Sequence, residues 1–263
     1  MEEVTDSGFL DTSPTLQVGL MWDNSMLQVH SGGIRHIRPG KLNNEWKTPG
    51  KRTVQIAAVN SRQAAVALSG GEIMYFEIDA AGQLVEVGAI DLGKEVSSLD
   101  IGVVPEGRSR SMFLAVGCWD DTVQLLSLDP KDVLGRGPAF AVESRPTSLC
   151  LVEMSRESSK TAQGNAPTST ANADLPSLYL NIGLEKGVLM RLAVDPITGD
   201  LSDARQKFLG PRAIKLCRVK VQGAAGVMAL SSRAWLMYNF QNRLVEHIYI
   251  ILIHCICLLR LIA

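Results

Sequence analysis

The residues best suited to chemistry lie in a basic segment between positions 35 and 52. Its cations and single tryptophan are Arg35, Arg38, Lys41, Trp46, Lys47, Lys51 and Arg52. Such cations pair with phosphates and a tryptophan ring stacks on a base, so the segment is a candidate RNA contact. The formal net charge of −1, and the lack of further aromatic residues between the cations, favour a solvated loop or a rim that contacts protein. We therefore expect RNA contact to be indirect at most.

A second cluster could bind a metal ion. His254, Cys255 and Cys257 lie close together near the carboxyl end, and imidazole and thiolate groups are zinc ligands. They stand within a dense apolar run, however, and the remaining histidines are not at ligand spacing to the cysteines. Apolar packing is the favoured interpretation, and we expect neither a metal site nor a cofactor.

Motifs for catalysis are missing from the sequence. Gly32-Gly33 and Gly70-Gly71 could suggest phosphate loops, but neither pair opens a helical pattern or precedes a Lys-Ser/Thr pair. Both pairs are interpreted as hairpin turns. There is no G-x-S-x-G elbow, no H-E-x-x-H and no paired-carboxylate motif. The sequence thus predicts no catalytic residue and no small-molecule substrate, and an enzyme is the alternative class of function.

The element that must position any functional residue is a hairpin, Leu114–Asp129. An apolar run, a turn at Asp120 and Asp121, and a second apolar run predict strand, turn and strand. The same pattern recurs around anchor residues Ser69, Gly183 and Ser231, and more weakly around Gly19. The Trp119-Asp120 dipeptide lies in the turn of this hairpin, so its likeness to a WD repeat is interpreted as coincidence.

The spacing of the anchors predicts the fold. Successive anchors are 50, 48, 66 and 48 residues apart, and the polar stretch Ser155–Asp174 accounts for the longer interval. A period of 40–50 residues with several short strands is typical of β-propeller blades. The expected fold is all-β, a partial β-propeller of four-stranded antiparallel blades with about five repeat units.

Six strands are predicted with definite bounds. They are Leu114–Gly117, Val123–Leu128, Leu178–Ile182, Val188–Val194, Val227–Leu230 and Trp235–Tyr238. Leu84–Val87 is assigned to the start of the blade that continues with Val96–Ile101. Three loops are the expected contact surfaces of the scaffold. They are Lys41–Arg52, Pro105–Arg110 and Ser155–Asp174.

The expected domain organisation is a disordered segment at 1–13, the partial propeller at 14–243 and an apolar tail at 244–263. The tail is interpreted as a foreign or mis-spliced terminus, with a buried strand or a membrane anchor as alternatives. The start of the chain lacks the pattern of a signal peptide. Five cysteines without a C-x-x-C motif favour a reducing compartment, the cytosol or the nucleus.

Several segments resemble a known family. They are GGIRHIR (32–38), NNEWKTPGKR (43–52), VALSGGEIMYFEID (66–79), RSMFLAVG (110–117), DDTVQLLSLDP (120–130) and the region 179–210. The run Thr198–Asp203 with Phe208-Leu209-Gly210 is similar to the family that contains the A subunit of the cleavage and polyadenylation specificity factor and the large subunit of the damage-specific DNA-binding protein. EWKTPGK and GIRHIR resemble the splicing branch of that family.

The resemblance carries expectations about fold and function. It implies part of the middle of three propellers, which a helical domain follows in the family. It also implies a non-catalytic scaffold of the SF3b complex of the U2 small nuclear ribonucleoprotein, a nuclear protein that acts in pre-mRNA splicing through contacts with other SF3b subunits and spliceosomal proteins. Alternatives are a relative acting in mRNA 3′-end processing, a ubiquitin-ligase adaptor, or a truncated product without function.

Overall fold

The computed structural model describes residues 13–38, 44–105, 107–155, 176–240 and 243–249. These residues form 21 β-strands, and the described part of the chain contains no helix. Antiparallel pairing collects the strands into five sheets. The expected fold class, all-β with four-stranded antiparallel blades, is confirmed.

The chain divides into two compact units, residues 1–145 (unit 1) and 146–263 (unit 2). Unit 1 contains three sheets. Sheet 1 consists of β1 (Thr15–Leu20), β2 (Met26–His30), β3 (Gly33–Ile37) and β4 (Asn44–Lys47). Sheet 2 consists of β5 (Val54–Val59), β6 (Gln63–Leu68), β7 (Glu72–Ile78) and β8 (Leu84–Asp91). Sheet 3 consists of β9 (Val96–Ile101), β10 (Phe113–Cys118), β11 (Thr122–Asp129), β12 (Asp132–Arg136) and β13 (Phe140–Ala141). In these three sheets consecutive strands pair, except that β13 pairs with β11.

Unit 2 contains two sheets of the same kind. Sheet 4 consists of β14 (Pro146–Ser155), β15 (Pro176–Leu184), β16 (Val188–Val194) and β17 (Leu201–Phe208). Sheet 5 consists of β18 (Lys215–Val221), β19 (Ala224–Leu230), β20 (Ala234–Phe240) and β21 (Arg243–Tyr249). The six strands predicted from the repeat are all present, within β10, β11, β15, β16, β19 and β20.

Burial falls from the central strands of a sheet to its outer strand. All six residues of β6 and all six of β10 are buried, whereas the fourth strand β8 is mostly exposed. A strand covered on both faces needs an apolar run and not an alternating pattern, and QAAVAL and FLAVGC supply such runs. Each fully buried Val or Leu side chain stabilises the fold by about 1.5–3 kcal/mol.

Apolar side chains between adjacent sheets form the core of each unit. Sheets 1 and 2 enclose a cluster that includes Leu27, Ile34, Val66 and Phe76. Sheets 2 and 3 enclose one that includes Ile73, Tyr75, Leu114 and Leu126. Within unit 2, sheets 4 and 5 enclose Tyr179, Leu189, Val227 and Trp235. Face-to-face packing of consecutive sheets is the arrangement expected of neighbouring blades.

The first strands of four sheets share one irregularity. Each has an extra residue near its start, opposite the end of the second strand. These extra residues are Leu16, Gln55, Ser97 and Thr147. A bulge bends its strand and increases the local twist. Its recurrence at one place shows that the sheets repeat one another in detail and not only in strand number.

Outer strands are irregular as well. The fourth strands β8, β12 and β17 each contain an extra residue relative to the third strand. In β8 the unpaired residue is Val87. In β12 and β17 the bulges include Leu134 and Asp203, whose φ angles are +61° and +48°. Positive φ is uncommon for residues other than glycine, so these two positions mark real turns of the backbone within a strand.

The fourth strand of sheet 3 is broken into two pieces. Strand β12 pairs with the last residues of β11, and β13 pairs with Thr122 and Val123 at its start. Between the two pieces the amide of Gly137 donates to the carbonyl of Leu125 at 2.9 Å. Pro138 follows and has no amide hydrogen to donate, which interrupts the ladder at this point. Together β12 and β13 serve as one interrupted outer strand.

Three local assignments from the sequence are wrong. Leu84–Val87 belongs to β8 at the end of sheet 2, and the next sheet begins with β9. Lys41–Arg52 is not one loop, because β4 occupies its centre. The copy around Gly19 is a hairpin of the first and second strands, whereas the other copies are hairpins of the second and third strands. Its place in the repeat is therefore one strand out of phase.

The predicted termini lie mostly outside the described residues. Residues 1–12, 156–175 and 250–263 are not described. The predicted tail 244–263 overlaps β21 (Arg243–Tyr249), which pairs with β20. The assignments of a disordered start and an apolar tail stay predictions. Among the described residues, no helix has the length and apolar character needed to cross a membrane.

Candidate protein-interaction surface

Cations of the basic segment lie beside carboxylates. The Arg35 side chain is largely buried, and its Nε lies 3.6 Å from Glu45 Oε1. Lys47 Nζ lies 3.9 Å from the other oxygen of Glu45. Arg52 forms an ion pair with Glu72 of β7. Carboxylates thus lie alongside three of the cations and lower the net positive charge that a phosphate would meet.

Two further cations of the segment, Arg38 and Lys51, lie within the described residues. Arg38 donates from Nη1 to the carbonyl oxygen of Gly82 at 3.4 Å, in the turn between β7 and β8. Lys51 is exposed. Lys41 lies outside the described residues.

Trp46 is engaged by sheet 2. Its ring meets Phe76 edge to face, with centroids 4.9 Å apart and an interplanar angle of 70°. Its Nε1 donates to Glu86 Oε2 at 3.0 Å. Edge-to-face packing and a satisfied indole N–H are typical of a structural aromatic residue. The ring joins the outer strands of sheets 1 and 2, and it does not stand free to stack on a base.

The other candidate motifs are structural where they are described. No group of three or more His, Cys, Asp or Glu side chains within the described ranges could hold a metal ion. The cluster of His254, Cys255 and Cys257 lies outside those ranges. Gly70-Gly71 forms the turn between β6 and β7, with φ angles of +96° and +92°. Gly32-Gly33 connects β2 to β3. The interpretation of both glycine pairs as hairpin turns is confirmed.

One hydrogen-bonded chain joins an acid, a hydroxyl and an imidazole. Asp23 Oδ1 accepts from the Ser25 hydroxyl at 2.5 Å, and His36 Nε2 lies 2.8 Å from the same hydroxyl oxygen. The Ser25 proton points to Asp23, so His36 Nε2 is assigned as the donor to Ser25. In a catalytic triad the imidazole stands between hydroxyl and carboxylate. Here the hydroxyl lies between the carboxylate and the imidazole. These hydrogen bonds therefore fix the β1–β2 turn and do not activate a nucleophile.

Burial sets the protonation of His36. The side chain has 0% exposure. Removal from water lowers its pKa below 6.5, and the positive charge of Arg38 lowers it further, against a smaller opposing effect of Asp23. Burial of Asp23 would raise the pKa of that carboxyl, but the hydrogen bonds from the Ser25 side chain and amide outweigh it and lower the pKa. The imidazole is therefore neutral in the folded protein at neutral pH.

We expect acidification to destabilise unit 1 through His36. Because its folded pKa lies below the unfolded value of 6.5, the unfolded chain binds the proton first and the free energy of unfolding falls as pH drops through that interval. His36→Gln keeps a donor at the Nε2 position and removes the titration. Chemical denaturation between about pH 7 and about pH 5 should show a smaller loss for the variant than for the wild type. Equal losses would contradict this account.

Gln63 forms the centre of a buried polar network. Its side-chain oxygen accepts from the Ser111 amide at 2.6 Å, and its nitrogen donates to the Ser111 carbonyl at 3.0 Å and to the Tyr75 hydroxyl at 2.6 Å. The Tyr75 hydroxyl donates to Glu77 Oε1 at 2.6 Å, and Glu77 also pairs with Arg110 at 2.9 Å. The network fixes the loop that precedes β10 against sheet 2. Arg110, the last residue of the predicted contact loop Pro105–Arg110, is thereby held by its ion pair with Glu77.

Trp22 is exposed at one end of sheet 1, the end that carries the turn between the first and second strands. Trp22, in the turn between β1 and β2, is 45% exposed. The guanidinium carbon of Arg62, in the turn between β5 and β6, lies 4.7 Å from its ring centroid. The Trp22 amide donates to the Ser61 carbonyl at 2.9 Å. A cation–π contact and a backbone hydrogen bond thus hold these two turns together.

A second tryptophan–arginine stack lies on sheet 3, at the end that carries the turn between its second and third strands. Trp119 is 57% exposed, and the Arg145 guanidinium carbon lies 4.1 Å above its ring. The following residue, Asp120, pairs with Lys94 and accepts from the Thr122 hydroxyl. Burial alone would raise the pKa of Asp120, but the hydrogen bonds with Lys94 and Thr122 outweigh burial and lower that pKa. Trp119 thus lies in the β10–β11 turn, as the sequence predicts, and carries a surface contact.

Sequence reasoning missed both tryptophan–arginine stacks. The basic segment drew attention because its cations are adjacent in sequence, whereas the members of each stack come from separate turns. A usable signal was present in the position of Trp22 and Trp119, each directly after an apolar strand and beside an aspartate. A large aromatic residue in a turn has no core to enter, so exposure was the expected consequence.

Comparison with known proteins relates these sheets to a family. A family model described as RSE1/DDB1/CPSF1 second beta-propeller matches residues 1–259. Splicing factor 3B subunit 3 of Danio rerio is 49% identical over 244 residues, which are 92% of this chain and 20% of that protein. The Drosophila melanogaster protein of that name is 48% identical over 247 residues, with the same two shares of 92% and 20%. Spliceosome-associated protein 130 A of Arabidopsis thaliana is 48% identical over 238 residues, 90% of this chain and 19% of that protein.

The chain spans about a fifth of the length of these relatives, since the matched shares are 19–20%. The family model covers nearly all of the chain, and it includes the sheets of both units. The resemblance seen in the sequence is thereby confirmed, together with the β-propeller character of the fold. This chain belongs to the RSE1/DDB1/CPSF1 second-propeller family.

Proposed function

We propose that this chain acts as a non-catalytic scaffold in pre-mRNA splicing, in the nucleus, through contacts with protein subunits of the SF3b complex. One observation carries the proposal. Over more than nine-tenths of its length the chain is about half identical to proteins named as splicing factors. What those names describe belongs to the longer relatives, and its extension to this chain is the proposal.

The surface chemistry supports protein contact over catalysis. The polar groups brought together in unit 1 are used within the fold, as in the Asp23–Ser25–His36 chain and the Gln63 network. The exposed side chains at the strand ends include Trp22 beside Arg62 and Trp119 beside Arg145. These residue types are enriched at the energetic centres of protein interfaces, and turns on a rigid sheet framework present them in fixed positions.

Affinity purification of the tagged full chain from nuclear extract tests the proposal. We expect recovery of other SF3b subunits, identified by mass spectrometry, above a tag-only control. A destabilised variant, Gly187→Ala, serves as a second control and should recover smaller amounts of those partners. Recovery of 3′-end-processing factors or ubiquitin-ligase subunits in their place would assign the chain to another branch of the family. Recovery of chaperones alone would contradict a scaffold function for this chain.

A further inference from the structure

Four residues at one end of unit 1 form an exposed surface with a charge at its centre. They are Leu20, Trp22, Arg62 and Val103, here called the first-turn surface. Leu20 is 67%, Trp22 45% and Val103 64% exposed. Leu20 and Trp22 belong to sheet 1, Arg62 to sheet 2 and Val103 to sheet 3. Each lies at the end of the first strand of its sheet or in the turn or loop that follows.

Hydrogen bonds between the turns hold this surface in one arrangement. The Trp22 amide donates to the Ser61 carbonyl at 2.9 Å. The Asn60 side chain donates to the Gly102 carbonyl at 2.9 Å, next to Val103, and its oxygen accepts from the Arg62 amide at 2.9 Å. A surface ordered before binding loses less conformational entropy on binding. The first-turn surface is thus prepared for a partner in a way that a mobile loop is not.

The Arg62 guanidinium defines the chemistry. It stacks on one face of Trp22, with its carbon 4.7 Å from the ring centroid. Within the described ranges no hydrogen bond or ion pair is found for its side chain, and the residue is partly exposed. Arginine can stack on a ring and bind a carboxylate through two parallel hydrogen bonds at the same time. An apolar group packed on the tryptophan and a carboxylate on the arginine would satisfy both.

We propose that the first-turn surface binds a protein segment in which an acidic residue lies next to an apolar one. The inference rests on the proposed function, a scaffold that acts through protein contacts, and it specifies the chemistry of the partner. An RNA strand is disfavoured because phosphate binding requires several free cations. Of the other arginines near this end, Arg38 is bonded to the Gly82 carbonyl and Arg110 is paired with Glu77, which leaves Arg108 as an exposed one. The exposed aliphatic side chains of Leu20 and Val103 suit a peptide.

Fluorescence anisotropy with the purified full chain tests the proposal. The probe is a short fluorescein-labelled peptide of alternating glutamate and leucine, compared with a lysine–leucine peptide and an oligouridine of similar length. We expect binding of the glutamate–leucine peptide, with Kd raised at least about tenfold by Trp22→Ala or Arg62→Ala. Arg62→Lys keeps the charge but not the fork geometry, and should also weaken binding. Phe208→Ala removes an aromatic side chain that is 63% exposed and lies outside the first-turn surface, and it should leave Kd within about twofold.

Four results would overturn the proposal. They are no binding of the glutamate–leucine peptide, equal binding of the lysine–leucine peptide, unchanged Kd in Trp22→Ala, and tighter Trp22-dependent binding of oligouridine, which would assign the surface to nucleic acid. Circular dichroism of each variant confirms that the sheets are intact. Because the assay uses the purified chain alone, its failure is distinguishable from a failure to recover SF3b subunits from extract.

Discussion

Replacing Gly187 with alanine is expected to lower the free energy of unfolding of unit 2 by at least about 3 kcal/mol. Gly187 lies in the β15–β16 turn with φ +79°, a conformation that strains any other residue. An added Cβ would overlap the carbonyl oxygen of Gly210 and lie 2.9 Å from that of Arg212. Both are backbone atoms, so a change of side-chain rotamer cannot relieve the overlap. The overlap would also disturb the hydrogen bond from the Leu209 amide to the Gly187 carbonyl, 2.9 Å long.

Gly223→Ala is the matched control for this change. Gly223 has φ +83° in the β18–β19 turn of the same unit, but no atom lies within 4 Å of its added Cβ. Only the backbone strain remains, about 1 kcal/mol. Trp235 is the sole tryptophan of residues 146–263, so its fluorescence during denaturation reports on unit 2. Equal losses for the two variants would show that backbone strain alone, without the overlap at Gly187, sets the effect.

Replacing Gln63 with alanine is expected to destabilise unit 1 by about 3 kcal/mol. The side chain has 1% exposure and satisfies the amide and carbonyl of Ser111 and the hydroxyl of Tyr75. Without it, the buried amide and carbonyl of Ser111 lose their partner, the Tyr75 hydroxyl keeps only Glu77 of its described partners, and water cannot replace the lost groups without opening the sheet. Thermal and chemical denaturation followed by far-ultraviolet circular dichroism measure the loss.

Gln55→Ala is the control for the Gln63 change. The Gln55 side chain is exposed and donates only to the Thr53 hydroxyl at 2.8 Å among the contacts described, so we expect a change within about 0.5 kcal/mol. Tyr75→Phe removes one hydroxyl of the network, and its loss of stability should lie between those of the Gln63 and Gln55 variants. A Gln63 variant as stable as the Gln55 variant would show that the network does not hold the loop before β10.

The hairpins could be predicted from the sequence because their information is local. In β10 and β11 the apolar runs, the two aspartates of the turn and the polar flanks stand within sixteen residues, 114–129. The structure adds that Asp121 has φ +58° and that Asp120 accepts from Thr122. These are the turn properties for which aspartate is suited. Six strands were therefore found with correct partners.

The outer strands could not be found in the same way. The four residues of β4, NEWK, are mostly exposed and show no apolar alternation. What makes them a strand is pairing with β3, in which Glu45 lies opposite Arg35 and Trp46 opposite Ile34. Periodicity reports burial, and a solvated edge strand is not buried on either face. For the same reason Leu84–Val87 was assigned to the wrong sheet.

The candidate surface depends on register between sheets. Trp22 and Arg62 are brought together by the packing of β1 against β5, and neither residue has a sequence neighbour that indicates the other. The basic segment misled for the converse reason. Its cations are neighbours in sequence, but carboxylates from adjacent strands lie beside Arg35 and Arg52. Residue type indicated which chemistry was present, and only the fold indicated which groups were left free for a partner.

The bulges of the outer strands bear on how copies of this protein meet one another. A regular outer strand offers a row of unpaired amides and carbonyls that a strand of a second molecule can extend, which is the usual route to fibrils. The extra residues at Val87, Leu134 and Asp203 interrupt that row in β8, β12 and β17. Charged side chains along β17, such as Arg205 and Lys207, oppose stacking further. Strand addition at these three edges is thereby discouraged.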